Sequence, residues 1–147
     1  MSSPLHFLNP PGLYDPRPNG YSHVACIDLP ARLIHVAGQG GEDAAGRLPA
    51  DFAAQVEQAL DNLQTALAAA GAGLADVARL TALVVDHSEQ RLAVFSQALM
   101  RRWGALPTPA CTLIPVPRLA LDGMLFEIDA SAAVGIDARA AASGPAA

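Results

Sequence analysis

The sequence predicts an α+β domain, a mixed β-sheet with two helices packed on one face. Three observations carry that prediction. Two segments place apolar residues at helical period. Several short runs are rich in Val, Ile, Leu and Thr. The two kinds follow one another as β, β, α, β, α, β, β, with one more short strand available over 5–8.

Residues 9–20, NPPGLYDPRPNG, hold four prolines and two glycines and read as an irregular, stiff lead-in. Runs with β-branched residues follow over 21–29 and 32–38, and the segment 28–32, with Pro30 between them, reads as a hairpin turn. The stretch 38–49, GQGGEDAAGRLP, is a polar glycine-rich loop. Phe52, Val56, Leu60, Leu63 and Leu67 then form one apolar stripe, with Asp51 at its positive N-terminal end and Gly71 and Gly73 as its stop. Residues 77–85 are a strand. Asp86 and Ser88 are candidate caps for a second helix whose core face is Leu92, Phe95, Leu99 and Trp103, ended by Gly104. The runs 110–116 and 124–134 are the last strands. One domain over 1–134 is expected, followed by a flexible Ala/Gly/Ser tail over 135–147.

Strand 77–85 is apolar on both sides: Ala78, Leu80, Ala82 and Val84 alternate with Leu83 and Val85. Two helices cover one face of a sheet, so the other is expected to meet a second copy of the chain, giving a homo-oligomer.

Composition narrows the chemistry. With 147 residues, 52% apolar and 16% charged, the chain can bury a core without metal or disulfide staples. All nine basic residues are arginine, which excludes Schiff-base lysine chemistry, a pyridoxal-phosphate anchor and the lysine of a phosphate-binding loop. A net charge of -5 gives no electrostatic footprint for nucleic acid. The two cysteines make neither a disulfide framework nor a zinc site. The start carries no secretion signal and no run approaches a membrane span, so a cytoplasmic protein without metal, cofactor, nucleic acid or membrane partner is expected.

Candidate chemistry-bearing residues are few. Glu127 and Asp129 lie two apart on the last strand, opposite Phe126, Ile128 and Ala130. They are either an ordinary solvated pair or, at a subunit interface, a carboxylate able to work as general acid or base. Cys111 opens a strand after Pro107 and Pro109 and is either core filler or a nucleophile at a cleft edge. Cys26 reads as core. His23 and His35 fall on neighbouring strands but not opposite one another, and a histidine metal site is disfavoured. Asp86, His87 and Ser88 are consecutive, which prevents a catalytic line and favours capping. The loop Gly38-Gln39-Gly40-Gly41 breaks the dinucleotide pattern at Asp43, and its glycines suit close backbone approach to a small ligand.

In order and spacing, these pieces resemble the Rid or YjgF family of reactive intermediate deaminases, long labelled L-PSP endoribonucleases. The matching residues are Gly20-Tyr21-Ser22, Ala37-Gly38-Gln39, Gln55, Leu60, Asn62 and Leu63 on the first helix, and Ala70-Gly71 and Asp76-Val77. Leu80-Thr81, Val84-Val85-Asp86, Pro109-Ala110 and Phe126-Glu127-Ile128-Asp129-Ala130 complete a match over about 9–134. The resemblance implies a chorismate-mutase-like α+β fold assembled as a homotrimer, with small-molecule clefts at the subunit interfaces. It also implies cofactor-free hydrolysis of imines and enamines to keto acids and ammonia.

By the same resemblance Tyr21 is a cleft tyrosine, Gly38 and Gln39 flank the ligand, and Glu127 orients water. Two positions depart. The family's Pro-Ala-Arg-Ser reads Pro109-Ala110-Cys111-Thr112, so the carboxylate-clamping arginine is Cys111, and Val94 and Phe95 stand where a helix-two asparagine is usual. Losing a charge-assisted clamp costs on the order of 10²- to 10³-fold in rate or affinity. Thr112 supplies a hydroxyl without charge, and Arg118 or Arg17 could supply a cation from elsewhere. The chain thus resembles an arginine-less branch. Two readings stay open: a deaminase-type hydrolase with altered specificity, or a non-catalytic metabolite-binding regulatory trimer. Ribonuclease activity ranks third, since RNA cleavage needs a cation at the phosphate.

Overall fold

The computed structural model describes residues 2–136. Strands β1 (Leu5–Leu8) and β2 (Val24–Ile27) pair antiparallel as a small separate sheet. The main sheet is built from β3 (Ala31–Gly40), β4 (Val77–Val85), β5 (Ala110–Val116) and β6 (Phe126–Gly135), in the order β3-β6-β4-β5. Only β4 and β5 run parallel, joined through a crossover helix. Helices α1 (Phe52–Ala69) and α2 (Glu89–Trp103) complete the α+β fold.

The helix boundaries follow from their caps. Asp51 accepts a hydrogen bond from the Ala54 amide, and Ser88 accepts one from Arg91, while Asp86 turns the chain in the left-handed region at φ 49°. The stripe of α1 is buried, and with Phe95, Leu99 and Trp103 of α2 it covers Leu80, Ala82, Val84, Phe126, Ile128 and Ala130. Phe126 anchors this layer, its ring 5.3 Å from Phe95 and 6.0 Å from Phe52.

Two expectations change. The turn at 28–32 does not close a hairpin: β2 takes β1, and β3 takes β6, a pairing that lays Ile34 and Val36 in the core with α1. The second face of the main sheet is also not wholly open. Val85 packs with Leu119 and Met124, so the loop after β5 folds over one end of it. Leu33 and Ile114 stay 52% and 43% exposed beside Arg79, His35 and Asp129, so the rest of that face is mixed. Strand β6 runs on through Gly135, and of the tail expected over 135–147 the residues 137–147 lie outside the described residues.

Arg102 ties the two helices together. Its guanidinium donates to Glu57 at 2.7 Å, to Gln64 at 2.8 Å and to Asp61. The Arg102 hydrogen bond holds the Glu57 carboxyl below its ordinary 4.5. A depressed carboxylate pKa stabilises the fold above the unfolded value and ceases to do so as pH falls through the folded one. Arg102→Ala is therefore expected to cost about 1 kcal/mol at neutral pH, and less below pH 4.5, in urea titrations at both pH values.

Candidate active site

Of the residues singled out in the sequence, Gly38, Gln39 and Glu127 line one cavity of the chain and Tyr21 and Cys111 a separate one. The first holds Glu127. Alternation along β6 puts Glu127 and Asp129 on the face opposite Phe126, Ile128 and Ala130. Strand β3 bulges between Val36 and Gln39, which brings Gly38 against the Glu127 side chain. A Cβ on Gly38 would come 2.7 Å from Glu127 Cδ and overlap its carboxylate, so only glycine allows this approach. Asn62 of α1 pins the loop beyond, donating to the carbonyls of Gly40 at 3.0 Å and Glu42 at 2.8 Å. The result is a cavity of about 390 Å³ lined by Gly38, Gln39, Asn62, Met124 and Glu127 among others.

The second cavity, about 200 Å³, holds Tyr21 and Cys111. Gly20, at φ 78°, packs against α2, where a Cβ would meet the Ser96 carbonyl at 3.2 Å. Ser22 is then fixed to the entry of β5: its amide donates to Pro109 at 2.9 Å and its hydroxyl to Thr108 at 2.6 Å. These bonds set Tyr21 beside Cys111. The Tyr21 hydroxyl is hydrogen-bonded to that of Tyr14, and the His23 ring packs edge-on against both. Phe95, Leu99 and Leu113 form the apolar walls.

Burial, and then the Tyr14 hydroxyl, push the Tyr21 phenol up to about 12. Burial also pushes the Cys111 thiol up to about 12, against a partial opposing effect of Arg79. Of the two roles open to Cys111, this environment favours a neutral lining thiol over a nucleophile. Alkylation of Cys111 by iodoacetamide at pH 8 is expected to be on the order of 10³-fold slower than that of a free thiol. A raised thiol pKa stabilises the fold fully below the unfolded value of 9.0 and loses that contribution as pH rises towards about 12. Peptide mass mapping and alkaline melts check both.

The remaining candidates stand apart. Thr112 is on the other face of β5 from Cys111, exposed, with the Arg79 guanidinium 3.4 Å from its hydroxyl. Adjacent strand residues cannot both line one cleft. Arg17 is bound to Asp15 at 2.8 and 2.9 Å, and Arg118 to Asp122 at 3.1 Å, and neither lines either cavity. His23 and His35 are not on neighbouring strands: His23 precedes β2, and His35 meets Ser131 at 3.0 Å. No cluster of three or more metal-ligating side chains occurs among the described residues. Tyr14 and Leu113 line the second cavity without any motif to mark them. Their only sequence signal is position, Tyr14 in the proline-rich lead-in and Leu113 two residues, hence one pleat, from Cys111.

Residues 15–134 match the family model described as Endoribonuclease L-PSP. The fold is similar to a Yersinia pestis protein of the conserved Rid family, YyfB, at 37% identity and a TM-score of 0.84, covering 89% of this chain and 99% of that one. It is also similar to a member of the YjgF/YER057c/UK114 family from Mycobacterium tuberculosis, at 32% identity and a TM-score of 0.60, over 88% of this chain and 99% of that one. RidA from an Antarctic Psychrobacter is 28% identical with a TM-score of 0.64, over 71% and 85%. No match is found among curated proteins. Among the described residues no helix is long and apolar enough to cross a membrane.

Proposed function

Since the chain belongs to the Rid/YjgF family, the family of the endoribonuclease L-PSP model, we propose that it is a cofactor-free hydrolase of reactive imines or enamines whose specificity differs from the family pattern. The observation that carries this reading is the apposition of Gly38 and Glu127 in one cavity. Glu127 accepts a proton from a water as its oxygen attacks the imine carbon. That proton passes to the substrate nitrogen, giving a carbinolamine; Glu127 then takes the carbinolamine hydroxyl proton and hands it to the amine, the carbon–nitrogen bond breaks, and ammonia leaves as the carbonyl forms. Gly38 and Gln39 bring backbone close to the substrate, and Tyr21 and Cys111 shape its far end.

Among the described residues, Tyr21 and Glu127 line different cavities. A homotrimer that sets the Tyr21 cavity of one copy beside the Glu127 cavity of the next would complete the cleft, consistent with the exposed Leu33 and Ile114 on the outer sheet face. A cytoplasmic setting suits such a small-metabolite enzyme.

Cys111, at the place of the clamping arginine, favours the second reading, a regulatory trimer that binds a metabolite without turning it over. Ammonia release from freshly generated 2-imino acids separates the two. The deaminase reading expects release by the wild type, or by Cys111→Arg where the clamp is what is missing, and a fall on the order of 10²-fold in Glu127→Gln. Silence from both the wild type and Cys111→Arg, with a melting shift on adding ligand, selects the binding trimer. Ribonuclease activity stays last for a lysine-free chain of charge -5.

A further inference from the structure

The lining that one chain gives the cavity between α2 and β5 carries no charged side chain and is mostly apolar. Its walls are Phe95, Leu99, Leu113 and Cys111, and its polar lining is uncharged, the Tyr14–Tyr21 hydroxyl pair with Asn19 and Ser96. Among the described residues no arginine or histidine lines it. An apolar cavity of about 150 Å³ is enough to take a benzene ring, and this one measures about 200 Å³. A carboxylate placed against this lining would lose part of its water and find no cation in it. A neutral ring would bury its surface against Phe95, Leu99 and Leu113.

We infer that this cavity binds an uncharged, ring-sized apolar group whose polar end, a carbonyl or amide, is read by the Tyr14–Tyr21 hydroxyls. The inference deepens the deaminase reading by naming the substrate class as neutral and aromatic or alicyclic, and it rests on that reading only for the chemical step after binding. The two tyrosines are held in place for this task. Ser22 fixes Tyr21 to β5, and His23 Nε2 lies 2.8 Å from the Tyr14 carbonyl while its ring contacts both phenols. Both Tyr21 and Cys111 remain protonated well above neutral pH, so this chain's lining stays uncharged across the working range.

Benzamide and benzoate form a matched pair that differ in charge and little in shape. Titrated into the full-length protein, benzamide is expected to bind saturably, with amide and methyl NMR shifts confined to Tyr21, Phe95, Leu99, Cys111 and Leu113. Benzoate is expected to bind on the order of 10- to 100-fold more weakly. Cys111→Arg should reverse the order. Because that variant could disturb folding, Tyr21→Phe is measured beside it and should weaken benzamide several-fold while leaving toluene binding intact. Benzoate binding as tightly as benzamide to the wild type, or benzamide shifts located elsewhere, overturns the inference. Its failure is separable from that of the deaminase reading: ammonia release with no benzamide binding removes only the ligand class, and benzamide binding without turnover of any imine removes only the deaminase.

Discussion

Gly38→Ala is expected to lower imine hydrolysis by on the order of 10²- to 10³-fold while leaving the melting temperature within a few degrees of wild type. The new methyl would occupy the space of the Glu127 carboxylate, 2.7 Å from its Cδ and 3.0 Å from its Cγ. The nearest atoms it would meet are not backbone. The three nearest atoms all belong to the outer part of the Glu127 side chain, which can swing aside at little conformational cost. Stability is thus spared, and the position of the Glu127 carboxylate is not. The double variant with Glu127→Gln makes the expectation sharper. If both changes act by removing one positioned carboxylate, the pair should be no slower than the worse single variant, which is strong non-additivity. Additive losses would show that Gly38 contributes separately, through its backbone contact with the ligand. Full activity in Gly38→Ala would mean that the geometry at Glu127 does not matter to the reaction.

The same pair of residues shows how far the sequence can be read. Period-2 alternation in 126–130 is sufficient to set Glu127 opposite the core, and it does so in the structure. Cap residues and helical stripes likewise locate α1 and α2, since those signals are local. Strand partners are not local. Nothing within 21–40 says that β2 will choose β1 while β3 crosses to β6, because that choice depends on which ladder buries Ile34 and Val36. The bulge that brings Gly38 to Glu127 depends on that same distant pairing.

The site is legible in its residue types and less so in its grouping. The pleat alone separates Cys111 from Thr112, although adjacency in sequence suggests that both line one cleft. Arg17 and Arg118 are candidates in the sequence because a cation is missing from the clamp position. Asp15 and Asp122, two and four residues away, take their charge instead, which is the usual fate of an arginine beside a carboxylate. The departure at Cys111 proves the more informative. In the structure Cys111 lines an apolar wall with Leu113 and Phe95, and the proposed change of ligand chemistry rests on that placement.

Gln55→Leu is expected to destabilise the protein by about 3–5 kcal/mol, a fall of roughly 10 °C or more in melting temperature. Gln55 is fully buried on α1. Its amide donates to the carbonyls of Pro49 at 2.8 Å and Gly123 at 2.9 Å, and its oxygen accepts from the Leu125 amide at 2.8 Å. One side chain therefore satisfies backbone groups from two loops that have no ladder of their own. Leucine matches its bulk and none of its bonds, leaving two acceptors and one donor unpaired in a dry environment. Leu125 lies two residues before Glu127, and Gly123 adjoins Met124 on the cavity wall, so the damage should spread to the active cavity. Turnover in Gln55→Leu should fall even well below its melting temperature, whereas Arg102→Ala, which removes bonds to Glu57, Asp61 and Gln64 and none to either loop, should lose stability with turnover unchanged. A loss under about 1 kcal/mol in urea unfolding would show that water replaces the glutamine, and that the two loops are held by the packing of Val85, Leu119 and Met124 instead.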